Sequence, residues 1–145
     1  MSVALLDVNV LIALAWPNHV HHGAARRWFE ASSSGGWATT PVTELGFVRI
    51  SSNKKVIPSA ATPGTALGVL RALTSLPAHE FWPDDARLVE PPFPIDRLGA
   101  HQQVTDVHLA ALAARRKGKL VTFDRGITNA LSAADQALVE LLPVV

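Results

Sequence analysis

Four acidic residues sit where divalent-metal chemistry would need them. Asp7 follows the apolar run Val3-Ala4-Leu5-Leu6, and Asp124 follows Leu120-Val121-Thr122-Phe123. Each stands at the C-terminal end of a predicted strand, and in open α/β sheets sites form in the crevice outside the strand ends. Glu44 falls in the first turns of a helix entered at Pro41, and Asp106 in the first turn of an Ala-rich helix. All four positions can face one edge of a sheet. Carboxylates crowded there repel one another unless a divalent cation sits among them. The chain has no cysteine, so thiolate ligands and disulfides are excluded, and oxygen donors favour Mg²⁺ or Mn²⁺ over zinc. His19, His21 and His22 have no partner acid nearby and no H-E-x-x-H spacing, and they read as surface residues.

Each acid also has an ordinary reading. Asp7 can cap the helix that follows it. Asp106 suits a first helical turn, where the dipole favours a negative charge. Asp124 with Arg125-Gly126 can form a simple turn, and Glu44 can be a helix-surface residue.

The elements that must position these acids follow from pattern and punctuation. Val3 to Leu6 reads as a buried strand and Val8 to Trp16 as a helix stopped by Pro17. Asn18 is a candidate cap for a second helix to about Ala31, ended by Ser32 to Gly36. Trp37 to Thr39 reads as a strand, Pro41 to Ser51 as a helix, and Asn53 to Ala61 as a loop. Thr62-Pro63 opens another helix with Leu67, Leu70 and Leu73 as its apolar stripe. Ala78 to Trp82 reads as a strand, Asp84 to Val89 as a short helix, and Glu90 to Pro94 as a turn or extended connection. Val104 to Lys117 is the clearest helix, with Thr105-Asp106 at its start, basic residues at its end and Gly118 beyond. Lys119 to Phe123, a short helix at Thr128 to Ser132, and a last strand at Leu138 to Leu142 complete the chain. Strands alternating with helices predict an α/β fold, a central parallel sheet of about four to five strands with helices on both faces.

Composition agrees with a single folded domain over residues 1–145. Hydrophobic residues make up 48% and charged residues 17% of 145, enough for one core. The apolar start lacks a basic leader and is interrupted by Asp7 and Asn9, which argues against a signal peptide. No uninterrupted apolar run is long enough to span a membrane, and the lack of cysteine suits a reducing cytoplasm. The formal net charge is +1. Without the four site acids, however, the 13 Lys and Arg face eight acids instead of twelve. An acidic pocket in a basic surround suits a phosphodiester substrate. Arg115, Arg116, Lys117 and Lys119 are the candidate RNA contacts, weighed against a plain solvated helix end.

The stretches LLDVNVLIAL, TELGFVRI, TDVHLAALA and LVTFDRGI, in this order from Leu5 to Ile127, resemble the PIN-domain ribonucleases of the VapC toxin type. The resemblance covers essentially the whole domain and implies the PIN-like fold. It also implies an acidic quartet on Asp7, Glu44, Asp106 and Asp124. Asp7, Asp106 and Asp124 would hold Mg²⁺ or Mn²⁺, while Glu44 would orient the attacking water or ligate a second cation. Asn9, in D-x-N, corresponds to a polar residue supporting the metal or its waters, and Thr122 to a hydroxyl near the site. Many relatives carry a further acid where this chain has Gly126. The activity implied is metal-assisted hydrolysis of RNA (tRNA, rRNA or mRNA) by water, with no need for a catalytic histidine. The partners implied are a VapB-type antitoxin and a second copy of the chain, giving a homodimer and, with antitoxin, a higher hetero-oligomer. Helices carrying Trp16, Trp28 and Phe29 are the candidate antitoxin groove.

Two other readings stand beside this one. A PIN nuclease in RNA maturation would share every motif but lack an antitoxin gene upstream. A receiver or phosphatase-like phosphoryl-transfer domain also gathers acids at strand ends. It would need an acidic pair or D-x-D, where this chain has Asp7-Val8-Asn9.

Overall fold

Alternation along very short strands divides the core into two layers. In the computed structural model, which describes residues 2–144, β1 (Ala4–Leu6), β2 (Trp37–Thr39), β3 (His79–Phe81), β4 (Lys119–Thr122) and β5 (Val139–Leu141) form one sheet in the order β3-β2-β1-β4-β5. Every pairing is parallel. Successive side chains point to opposite faces of a strand. Ala4, Leu6, Trp37 and Val121 therefore pack on one face, against Val10 and Leu11 of α1 (Val8–Ala15), Trp28 of α2 (His22–Ser32), Phe47 of α3 (Pro41–Ser51) and Leu70 of α4 (Pro63–Thr74). Leu5, Ala38 and Leu120 pack on the other, against α5 (Gln103–Arg115), α6 (Gly126–Ala130) and the connection carrying Trp82 and Phe93. Parallel strands need such helical crossovers, and helices on both faces are the result.

The strand order carries a functional consequence. From β1 the chain moves outward through β2 to β3, and from β3 it crosses back to place β4 on the other side of β1. The C-terminal ends of β1 and β4 thus flank the point where the winding reverses, which is where open α/β sheets bind ligands.

Helix α5 supplies the second wall of that point. Its apolar residues Val107, Leu109, Ala110, Ala111, Leu112 and Ala113 are all buried, so it lies on the sheet as a central helix. It ends in a Schellman motif: Gly118 N–H donates to Ala113 O at 2.8 Å and Lys117 N–H to Ala114 O at 3.1 Å. The left-handed residue is Lys117, with φ 56°, and not the glycine. Gly118 is required for another reason, since a Cβ there would meet Val3 O at 2.5 Å and the Trp82 ring at 2.8 Å.

Three expectations from the sequence are corrected. The second helix starts at His22 and not after Asn18, because Asn18 donates from Nδ2 to Ser59 Oγ at 3.3 Å and so ties two loops together. Asp84 to Val89 forms no helix. Asp84 accepts from His108 Nε2 at 2.6 Å and Asp85 from Arg116 at 2.7 Å, so the segment is pinned flat against α5. In α4 the buried pair is Ala66 and Leu70, while Leu67 is exposed.

Candidate active site

Asp7 is placed by the end of β1 and the start of α1. It is the helix N-cap, and its Oδ1 accepts the Val8 N–H at 2.7 Å. The capping role is therefore real, and it fixes the carboxylate instead of excluding another role. Its other oxygen, Oδ2, accepts the Thr122 hydroxyl at 2.7 Å. Thr122, fully buried at the end of β4, is a small hub. Its Oγ1 also accepts the Asp124 N–H at 3.0 Å and the Asn9 Nδ2 at 3.3 Å. Asp124 in turn accepts the Gly126 N–H at 2.8 Å, so its turn reading also holds. Gln103 ties the start of α5 to α6 by donating to Gly126 O at 3.1 Å, which sets the height of Asp106 above the strand ends.

Asp7, Asp106 and Asp124 line one cavity of about 380 Å³ at the reversal point, within the roughly 300–1,000 Å³ of small-ligand pockets. Asp7 is 5% and Asp106 8% exposed. Burial raises Asp106 to about 8, helped by the charges of Asp7 and Asp124 and by hydrogen bonds with both. Burial likewise raises Asp7, against the lowering effect of its bonds from Thr122, Val8 and Asp106. Asp106 is thus the carboxyl that holds its proton through neutral pH. Among the described residues, no three Asp, Glu or His side chains already stand in metal-holding geometry. The donor set is all oxygen, crowded and short of positive charge, so it fits a hard divalent cation displacing the proton.

Glu44 is not part of this group. It is half-buried beyond β2, where its Oε2 accepts the Thr39 hydroxyl at 2.6 Å. The same Oγ1 lies 2.8 Å from His79 Nε2. A hydroxyl has one hydrogen, and Thr39 donates its own to Glu44, so His79 Nε2 is assigned the N–H that completes the relay. Glu44 contributes to neither Asp7 nor Asp106. The sequence gathers four acids at one edge; the structure brings three together and turns the fourth toward β3.

The basic residues are placed differently from the sequence expectation. Arg115 and Arg116 pair with Asp85 at 3.2 and 2.7 Å, and Lys119 pairs with Glu140. With Lys117 they lie at the C-terminal end of α5 and the N-terminal end of β4, across the sheet from the acids. The three aromatic residues on the helices expected to form the antitoxin groove also make contacts within the fold, Trp16 and Phe29 remaining half-buried. Trp28 is buried and donates to Glu140 at 3.0 Å, Trp16 stacks on Phe47 at 6.2 Å, and Phe29 packs edge-on to Trp37 at 5.2 Å. Conversely, His19 lines the acid cavity beside Ile12, Val56 and Ile57. Nothing in its sequence context marks it, because the turn that carries it is placed by the packing of α1 against α2.

Comparison with known proteins agrees with this architecture. The family model described as PIN domain matches residues 4–130. Ribonuclease VapC39 of Mycobacterium tuberculosis is 58% identical over 96% of this chain and 99% of its own length. Ribonuclease VapC38 of the same organism is 48% identical over 98% and 99%. Among solved structures, VapBC2 from Rickettsia felis, bound to a DNA fragment from its promoter, superposes with a TM-score of 0.64 at 15% identity, covering 97% of this chain and 99% of that one. Mycobacterium tuberculosis VapC20, a Sarcin-Ricin loop cleaving toxin, does so with 0.58 at 12%, covering 97% and 99%. At these identities the structural matches establish the fold.

Proposed function

The chain belongs to the PIN-domain family, in its VapC branch, and from that premise we propose that it is a Mg²⁺- or Mn²⁺-dependent endoribonuclease, the toxin of a toxin–antitoxin pair. The observation that carries this reading is the meeting of Asp7, Asp106 and Asp124 in one cavity at the reversal point of the sheet. The names of the relatives support RNA as substrate, and the VapBC2 complex supports a VapB-type antitoxin as partner. A homodimer and a higher assembly with antitoxin are part of the same proposal. So is a cytoplasmic setting, where RNA is met; no described helix is long and apolar enough to cross a membrane.

Asp7, Asp106 and Asp124 would hold the cation. When bound, it supplies Lewis-acid polarisation of a phosphate oxygen and a water acidic enough to attack near neutral pH. The chain's own residues do the positioning. Val8 N–H and the Thr122 hydroxyl fix both oxygens of Asp7, and Gly126 N–H fixes Asp124. Asn9 steadies Thr122. Asp106 would give up its proton to hold the cation. Glu44, whose Oε2 accepts the Thr39 hydroxyl, would have its other oxygen to orient water or a second cation.

The test compares wild type with Asp7→Asn and Asp106→Asn on total RNA, with Mn²⁺ and with chelator. Cleavage by the wild type alone, and only with metal, is expected, with a loss of at least about 100-fold in each variant. Equal cleavage by the variants would sink the assignment. A small antitoxin gene immediately upstream distinguishes the toxin from an RNA-maturation nuclease.

A further inference from the structure

The acid cavity has an apolar wall that metal chemistry does not explain. It continues from Asp7, Asp106 and Asp124 along Ile12 and Ile57, past His19, to the turn residues Asn18 and Ser59. His19 stands where the two parts of this groove meet. Its turn is held firmly: His19 N–H donates to Trp16 O at 3.0 Å, and His22 lies 2.8 Å by Nδ1 from Ala13 O. The His21 ring, 5.7 Å from that of His19, packs 5.0 Å from Phe123, the residue before Asp124. The turn and the acid edge are therefore braced against each other.

The hydrogen bonds of His19 narrow what it can do. Its Nδ1 accepts the His21 N–H at 3.0 Å. That lone pair is consumed, so in the neutral ring the hydrogen sits on Nε2. Neither nitrogen is then free to ligate a metal. Burial, with His21 and His22 beside it, also pushes His19 below the usual histidine value, so the ring is an uncharged face with one donor. Such a group suits a nucleobase, which offers a π-face and edge acceptors, better than it suits a phosphate.

We infer that His19, with the groove wall formed by Ile12 and Ile57, binds the base of the nucleotide adjoining the scissile phosphate: the base packs on the apolar wall and accepts at its edge from His19 Nε2–H. This rests on the reading of the chain as a ribonuclease. His19 is a substrate-binding residue that sets which nucleotide lies beside the cut, and unpaired RNA is the form that can present its base there.

The experiment measures Mn²⁺-dependent cleavage of a mixed-sequence single-stranded RNA by wild type, His19→Ala and His19→Phe, with cut sites read by sequencing the product ends. For His19→Ala, KM should rise about tenfold with kcat within about threefold of wild type, and the nucleotide preference on one side of the cut should flatten. His19→Phe keeps the ring's bulk but not the donor, so it should leave both the raised KM and the flattened preference largely unrecovered. An Ala variant with wild-type KM and cut-site distribution overturns the inference, as does a loss confined to kcat. A wild type that shows no metal-dependent cleavage overturns the ribonuclease reading, and this inference with it. If His19→Ala melts far below wild type, His19→Gln, which retains a donor and a flat amide, should preserve KM within about threefold; a tenfold rise there overturns the inference.

Discussion

Asp106 is held as a neutral acid by its surroundings. It is buried, flanked by two carboxyls and raised from 3.8 to about 8. The sign of its effect on stability follows. Below pH 4 both folded and unfolded chains are protonated there. Between about 4 and 8 only the unfolded chain ionises, so metal-free stability falls as pH rises and is lowest above 8. Asp106→Asn cannot ionise. In chelator at pH 8 it should exceed wild type by on the order of 1–3 kcal/mol, and near pH 4 the gain should vanish. Urea midpoints at the two pH values decide this; an equal gap at both would mean that Asp106 is ionised in the fold. Asp7 differs, because it also caps α1. Its loss costs a helix cap as well as relieving repulsion, so Asp7→Asn, which keeps an accepting oxygen, is the cleaner probe. At this scale the sequence was readable for the acids that follow apolar strands, since the strand dictates where the next residue lies. It was silent on Glu44, whose partners Thr39 and His79 come from two different strands, and on His19, whose turn is placed by distant packing.

At the scale of elements, the end of α5 is the sharpest case. Basic residues followed by Gly118 mark a helix stop in the sequence, and the stop is there, but the positive φ falls on Lys117. Lys117→Gly should therefore stabilise the protein by about 0.5–1 kcal/mol, by removing the left-handed strain of a residue with a Cβ. Gly118→Ala should destabilise it by about 1–3 kcal/mol, because the new Cβ meets the Val3 carbonyl, which is backbone and cannot step aside. Thermal melts of the two variants test both signs at once; a destabilising Lys117→Gly would contradict the Schellman assignment. The same scale explains why Asp84 to Val89 is not helical. Its local pattern allows a helix, but His108, near the middle of α5, and Arg116, just beyond its end, claim its acids, and tertiary pairing outweighs a weak propensity.

For the molecule as a whole, the strand order does the assembling. Asp7 and Asp124 are 117 residues apart in sequence, yet they follow adjacent strands whose winding reverses between them. Alternation of strands and helices was enough to predict a parallel sheet with two helical layers, but not which two strands would be neighbours. The basic residues at 115–119 show the limit of charge counting. They are close in sequence to Asp124 and on the opposite edge of the sheet, where Asp85 and Glu140 pair with Arg115, Arg116 and Lys119. Cation binding at the acid edge should raise the melting temperature of wild type by several degrees at saturating Mn²⁺, and leave Asp106→Asn nearly unmoved. A shift of equal size in both would place the ion elsewhere. The proton held by Asp106 has a last consequence, for the cell. If Asp106 ligates the proposed cation, that proton must leave as the cation enters, so the two would compete one for one for the same oxygens. Below about pH 8, a drop of one pH unit then weakens loading as much as a tenfold drop in free cation. If the proposed metal dependence holds, acidification at a fixed supply of metal would idle the enzyme, and a return to alkaline conditions would rearm it.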